Sequence, residues 1–228
     1  MSTQKTSAGA FDLVIFDCDG VLVDSEVIAC EAVSAALAAI GHALSADAVA
    51  ERFVGMSNKD MYAVLERDRG APLPTDFDAA MNRIAAERFA QELQPMAGLE
   101  LALSQLAQRR CVASSSTPAQ LARKLDWTGL SRWFDGAVFS AAQVARGKPA
   151  PDIFLHAAER MGVAPAQSLV IEDSAPGIVA AKAAGMIAVG FTGGAHCRPG
   201  HADRLTAAGA DLVFADMREL PALVAARG

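Results

Sequence analysis

Apolar positions recur along this chain at two different spacings, and the change from one to the other divides it. Residues 11–16, Phe-Asp-Leu-Val-Ile-Phe, form a short apolar run with one acidic interruption, the pattern of a strand buried in a parallel sheet. From Asp24 to about Gln94 the spacing becomes helical. Val33, Leu37 and Ile40 share one face ahead of Gly41; Val49 and Phe53 mark a second helix; Met61, Val64 and Leu65 mark a third that stops at Gly70. After the loop Ala71-Pro72-Leu73-Pro74, a longer fourth helix carries Phe77, Met81, Ile84 and Phe89. Together they predict an all-helical insertion of roughly seventy residues.

Beyond Pro95 and Gly98, strand and helix alternate. Leu99, Leu103 and Leu106 predict a helix and Cys111-Val112-Ala113 a strand. Thr117-Pro118 is the capped start of a helix whose buried face holds Leu121 and Leu125. Further strands are expected at 136–140, 168–171, 186–191 and, at an edge, 211–214, with helices over 154–161 and 175–184. The expected fold is therefore α/β. Residues 1–23 and 95–228 form a doubly wound, Rossmann-like parallel sheet of five or six strands, and the small helical unit 24–94 is inserted after the first strand.

Composition narrows the classes of function. The 228 residues are 52% hydrophobic without a run of 18 apolar positions, so no membrane span is expected. The first ten residues, MSTQKTSAGA, lack the apolar segment of a signal peptide and read as a loose tail. Cys18, Cys30, Cys111 and Cys197 are too scattered for a disulfide framework or a zinc site, and point to a reducing cytoplasm. A net charge of −6 argues against a nucleic-acid polymer as partner, although a small phosphorylated ligand needs only one local positive site.

The candidate chemistry begins where the first strand ends. Asp17 and Asp19 stand two apart, followed by Gly20, at the strand edge where parallel sheets bind ligands. Paired carboxylates persist out of water where a cation neutralises them or one keeps a proton, and magnesium suits an all-oxygen site with substrate phosphate. Asp-x-Asp-Gly is equally the composition of a plain turn. Three further strand ends decide between these readings: Ser114-Ser115-Ser116, the loop Gly147-Lys148-Pro149, and Glu172-Asp173-Ser174. In a parallel sheet these ends share one edge, where a phosphate could meet Ser114, backbone N–H groups near Ser115, Lys148, and a metal on Asp17 and Asp173. Taken one at a time, Lys148 is also an ordinary loop lysine, Ser114 a capping hydroxyl and Asp173 a helix N-cap.

The stretch Asp17-Cys18-Asp19-Gly20-Val21-Leu22-Val23-Asp24-Ser25-Glu26, then Ser114, Lys148-Pro149 and Glu172-Asp173-Ser174-Ala175-Pro176-Gly177, resembles the haloacid dehalogenase superfamily of phosphohydrolases in order and spacing. The helical insertion resembles the C1 cap of the subgroup that holds β-phosphoglucomutases and 6-phosphogluconate phosphatases. The resemblance implies that Asp17 attacks phosphorus, and that Asp19 protonates the leaving alkoxide and then deprotonates water to hydrolyse an aspartyl-phosphate. It implies Mg2+ as cofactor, held by Asp17, the backbone carbonyl of Asp19, and Asp173, with Glu172 binding through water or standing beside the ligands. Ser114 and Lys148 would hold the transferred phosphoryl group together with backbone at Cys18 and Ser115. Asp24 and Ser25 read as caps of the first inserted helix and as hinge residues.

Substrate choice falls to the cap, with Glu26 and the loop residues Arg52, Gly55, Met56 and Lys59 as candidates. The expected partner is a small phosphorylated metabolite, a sugar phosphate or phosphorylated sugar acid, acted on by a monomer. β-Phosphoglucomutases carry an arginine and a histidine where this chain has Asn58 and Ala29, which favours hydrolysis over a phosphosugar mutase. A non-catalytic module that binds a phosphometabolite is the other alternative. The stretch Gly193–His201 holds two histidines and a cysteine but reads as a surface loop, not a metal site.

Overall fold

The structure, a computed structural model, describes residues 11–54 and 56–226. The N-terminal tail and Gly55 therefore lie outside the described residues. Six parallel strands, β1 (Leu13–Phe16), β2 (Arg109–Ser114), β3 (Val138–Ser140), β4 (Ser168–Glu172), β5 (Ile187–Phe191) and β6 (Leu212–Phe214), form one sheet in the order β3-β2-β1-β4-β5-β6. The chain builds outward from β1 on one side and then returns to build outward on the other. The order thus reverses between β1 and β4, the crevice position where such sheets bind ligands.

β1 is apolar on both faces because both are covered. Val14 and Phe16 join Val112, Leu169, Ile171 and Val189 on one side, whereas Leu13 and Ile15 join Cys111, Ala113, Val170 and Ala188 on the other. The period of two delivers alternate residues to opposite layers. The first layer is completed by α5 (Leu99–Gln105), α6 (Pro118–Trp127) and α10 (Leu220–Ala226), and the second by α7 (Asp152–Met161), α8 (Ala175–Ala183) and α9 (His201–Ala207). α6 begins as the sequence predicts. Thr117 accepts from the Gln120 N–H, Gln120 accepts in return from the Thr117 N–H, and Pro118 opens the helix. Two helices escaped the sequence reading: α10, and α9, which starts within the stretch expected to be a surface loop.

Between β1 and α5 the chain forms α1 (Glu26–Ala39), α2 (Ala46–Phe53), α3 (Asn58–Arg69) and α4 (Phe77–Glu92). They enclose an apolar cluster of their own that includes Val33, Leu37, Val49, Phe53, Met61, Leu65, Phe77 and Met81. α3 ends at Gly70 with φ +66°, a left-handed conformation that glycine adopts without steric cost. The two connections to the sheet run side by side. The Asp24 N–H donates to the Gln94 carbonyl at 3.2 Å and the Met96 N–H to that of Leu22 at 2.8 Å. Among the described residues, no helix is long and apolar enough to cross a membrane.

Candidate active site

Three strand ends and one loop bring the predicted acids and lysine together. Asp17 follows β1, Ser114 ends β2, Glu172 ends β4 with Asp173 next, and Lys148 reaches in from the loop between β3 and α7. Lys148 is the hub, its side chain only 6% exposed. Its ammonium donates to Asp17 Oδ1 at 2.6 Å, to Glu172 Oε1 at 2.5 Å and to the Ala113 carbonyl at 3.2 Å. It is no solvated loop lysine. Burial would lower its pKa, but Asp17 and Glu172 outweigh that and raise it, so it stays charged.

Glu172 is fully buried with both oxygens engaged: Oε1 by Lys148, and Oε2 by the Ser174 backbone N–H at 3.1 Å and hydroxyl at 2.8 Å. It fixes Lys148 and the start of α8 rather than presenting a free oxygen to a metal. Asp173 does not cap α8; Ser174 does, accepting from the Gly177 N–H. Glycine at 177 is required, because a Cβ there would lie 1.9 Å from the Glu172 carboxyl carbon. Gly20, at φ +75°, is required for the same reason, since a Cβ would fall 1.9 Å from Asp173 Oδ2.

Ligand atoms of Asp17, Glu172 and Asp173 lie within 4.8 Å of one another. Burial, above all, raises the pKa of both Asp17 and Asp173 well above the carboxylate range, and Glu172 adds to it in each; Lys148 opposes the shift without cancelling it. Three buried carboxylates share one lysine, which is an excess of negative charge on hard oxygen donors. Lys148 occupies Asp17 Oδ1, and His196 takes Asp173 Oδ2, leaving Asp17 Oδ2 and Asp173 Oδ1 without a side-chain partner among the described residues. That donor set fits a magnesium ion.

Asp19 occupies a different environment. Lys124 of α6, buried, is ion-paired to Asp19 Oδ1, Ser25 donates to the same oxygen at 2.6 Å, and Ser116 donates to Oδ2 at 2.8 Å. Burial would raise its pKa, but Lys124 and these hydrogen bonds outweigh that and lower it, holding Asp19 ionised. Ser25, read as a helix cap, makes no side-chain cap and turns to Asp19 instead. Asp24 likewise accepts from the Ala195 N–H, across to the loop after β5.

The remaining candidates divide. Ser114 is buried, its hydroxyl accepting from the Ser116 N–H at 3.1 Å, while Ser115 is exposed beside it. The Cys18 thiol is buried and its pKa raised, chiefly by burial and then by Asp19, so it is inert as a nucleophile. Glu26, half-buried at the start of α1, faces the same edge, and burial followed by the charge of Asp19 raises its pKa. In the helical insertion, Arg52 is paired with Asp68 of α3 and lies over the Phe53 ring, while Met56 and Lys59 are exposed. Arg52 is thereby committed within the insertion.

Sequence reasoning missed three residues. Lys124 follows Leu121 by three and precedes Leu125 by one, so its place on the buried stripe of α6 was a readable signal. The stretch taken for a surface loop buries His196 against Asp173 and His201 beneath it, and no spacing rule announces that.

The model of the haloacid dehalogenase-like hydrolases matches residues 11–185. The 6-phosphogluconate phosphatase of Escherichia coli (strain K12) is 28% identical over 218 residues, which cover 95% of this chain and 96% of that protein. A conserved haloacid dehalogenase-like protein from Agrobacterium tumefaciens str. C58 superposes with a TM-score of 0.88 at 42% identity, covering 95% of this chain and 99% of the other. A HAD family hydrolase from Deinococcus radiodurans R1, solved with bound phosphate and sodium, gives 0.82 at 31% identity, covering 96% and 97%. The chain belongs to the haloacid dehalogenase-like hydrolases. Its class of activity within them is that of a phosphoric monoester hydrolase.

Proposed function

We propose that this chain hydrolyses a small phosphate monoester with the help of Mg2+, by transferring the phosphoryl group to Asp17. The observation that carries the reading is the buried cluster of Asp17, Glu172 and Asp173 around Lys148. Asp17 and Asp173, with the backbone carbonyl of Asp19, would hold the ion, which when bound offsets phosphoryl charge and orients the ester. The carboxylate of Asp17 attacks phosphorus. Lys148 draws charge from the equatorial oxygens, joined by the Ser114 hydroxyl and backbone N–H groups at Cys18 and Ser115, and such fixed donors are most effective where water is excluded. Asp19, held ionised by Lys124, first takes up the proton that a monoanionic ester brings, hands it to the departing alkoxide, and then takes one from the water that opens the aspartyl-phosphate.

Residues 24–94 are read as a cap that closes on this edge about the paired connections at Val23–Ser25 and Gln94–Gly98, with Ser25 bonded to Asp19 and Glu26 within reach of its charge. The substrate class is a sugar phosphate or phosphorylated sugar acid. The similarity to 6-phosphogluconate phosphatase supports this; in the insertion, Lys59 and Met56 are exposed. Asn58 and Ala29 favour hydrolysis over a mutase. The test is Mg2+-dependent release of inorganic phosphate from a panel of phosphorylated sugars and sugar acids, by wild type and Asp17→Asn. Turnover is expected only in the wild type; a fully active D17N protein would remove Asp17 as the phosphoryl acceptor.

A further inference from the structure

The loop between β5 and α9 lies outside every stretch that carries the family resemblance, yet it grips Asp173 at two points. His196 Nε2 lies 3.0 Å from Asp173 Oδ2, with the two side chains 1% and 9% exposed. His201 Nε2 lies 2.7 Å from the Asp173 backbone oxygen. A carbonyl only accepts, so His201 donates through Nε2; Arg204 only donates, so His201 Nδ1 accepts from it at 2.9 Å. Both partners demand the same neutral tautomer. The rings of His196 and His201 pack edge to face at 5.5 Å.

Room for this pair is made by two glycines. A Cβ on Gly194 would lie 2.7 Å from both Cε1 and Nδ1 of His196, and one on Gly20 2.9 Å from Cε1 besides striking Asp173 itself. The imidazole is thus seated between the backbone of the first motif and that of its own loop. Nδ1 of His196 is buried without a hydrogen-bond partner, so the ring's polar contacts are made through Nε2, with Asp173 Oδ2 at 3.0 Å and the Cys197 Sγ at 3.5 Å. The same loop reaches the helical insertion through Arg198, paired with Asp47 of α2 at 2.8 Å.

We propose that His196 is a positioning residue for the metal site, which with His201 fixes the rotamer of Asp173 so that its other oxygen, Oδ1, faces the ion. This rests on the reading of Asp17 and Asp173 as magnesium ligands. A partner that orients a ligating carboxylate typically contributes ~10–100-fold to metal affinity. The opposite relation would hold if the imidazole competed with the cation for Asp173, since its removal would then tighten metal binding.

The experiment is titration of the full chain with Mn2+, read by the electron paramagnetic resonance of the free ion, for wild type and the variants Asp173→Asn, His196→Phe, His196→Gln and His196→Asn. His196→Phe is expected to weaken Mn2+ binding by ~10–100-fold, with kcat at saturating metal falling less than the affinity. Glutamine, whose amide nitrogen reaches the place of Nε2, should restore binding to within about threefold, and the shorter asparagine should not. Should the phenylalanine variant fail to fold, the glutamine and asparagine pair carries the same test. Unchanged or tighter binding in the phenylalanine or asparagine variant overturns the assignment. If Asp173→Asn binds Mn2+ as the wild type does, the metal reading itself fails and this inference with it; if only the histidine variants are silent, the metal reading stands and this inference alone falls.

Discussion

The carboxyl edge of the sheet and the helical insertion are both rich in charge, but they hold it differently. At the edge, Asp17, Glu172, Asp173 and Lys148 are buried, and each group's position is set by others: removing one leaves its partners unpaired out of water. In the insertion, the pairs Arg52–Asp68 and Arg88–Glu92 lie at the surface around a separate apolar cluster. Water can replace either partner there at little cost. On the proposed function the chemistry is thereby held at the sheet edge, whereas the insertion's surface charges are free to change without disturbing it.

Lys148→Ala should break the first half of this contrast most severely. It leaves Asp17 and Glu172 buried without their shared cation and removes a donor to the phosphoryl oxygens. A fall in kcat of ~10²–10³-fold, about 3–4 kcal/mol, is expected by analogy with the loss of one transition-state donor. Steady-state phosphate release by protein still folded by circular dichroism measures it, and a variant within about tenfold of wild type would contradict the role. Lys124→Met comes next. Methionine keeps the packing against Phe89 but strips Asp19 of its cation, and breaking such a buried pair costs about 3 kcal/mol. Because Lys124 and its neighbours depress the Asp19 pKa, the wild type's advantage is present above the ordinary carboxylate value and is lost as pH falls through the folded one. Denaturant melts of both proteins at neutral and acidic pH should converge on the acid side.

Metal removal probes the same edge with a smaller effect. Raised pKa values for Asp17 and Asp173 mean that metal-free protein gains stability from these groups at low pH and loses it as pH rises through their folded values. A cation relieves that repulsion, so added Mg2+ should raise Tm more at pH 8 than at pH 6. Saturation at about 100 times Kd is worth ~2.7 kcal/mol, or roughly 5–10 °C for a chain of this size. Thermal scans with Mg2+ or a chelator at the two values test it; a shift independent of pH would mean that these carboxylates are not the ligands.

Much of this is readable in the sequence alone. Period-two runs set the strands and 3.6-residue runs set the helices, because both report burial directly: Val49, Phe53, Met61 and Leu65 are buried as their spacing demands. Asp17 and Asp173 are legible because parallel topology puts strand ends on one edge whatever the loops do, and Lys148 because it stands in the loop beyond β3 on that edge. Lys124 has no place in the sequence reading, although its position beside Leu121 and Leu125 puts it on the buried face. His196 was not legible at all. Its burial depends on the space left by Gly20, some 176 positions away in sequence, and glycine and proline around it carry the same composition as an exposed loop. Ser25 shows the limit of capping rules: it sits at the helix start as predicted, but the half-buried, ionised Asp19 is the stronger acceptor for its hydroxyl.

The smallest effect belongs to the insertion and is the sharpest check on the contrast. Arg52 was read as a substrate contact, yet it pairs with Asp68 and covers the Phe53 ring, both within the insertion. If that is its whole role, Arg52→Gln removes an exposed pair and a guanidinium resting on the ring, together worth about 1 kcal/mol, so Tm should fall by at most about 2–4 °C and kcat on p-nitrophenyl phosphate should not move measurably. KM for the physiological ester should be equally unaffected, because the guanidinium is already engaged. A selective rise in KM for phosphorylated sugar acids, with p-nitrophenyl phosphate unchanged, would mean that Arg52 leaves Asp68 when a carboxylate arrives. The pair would then be a resting state for a substrate-binding arginine, and the insertion's surface charges would be tied to function as firmly as those at the strand ends.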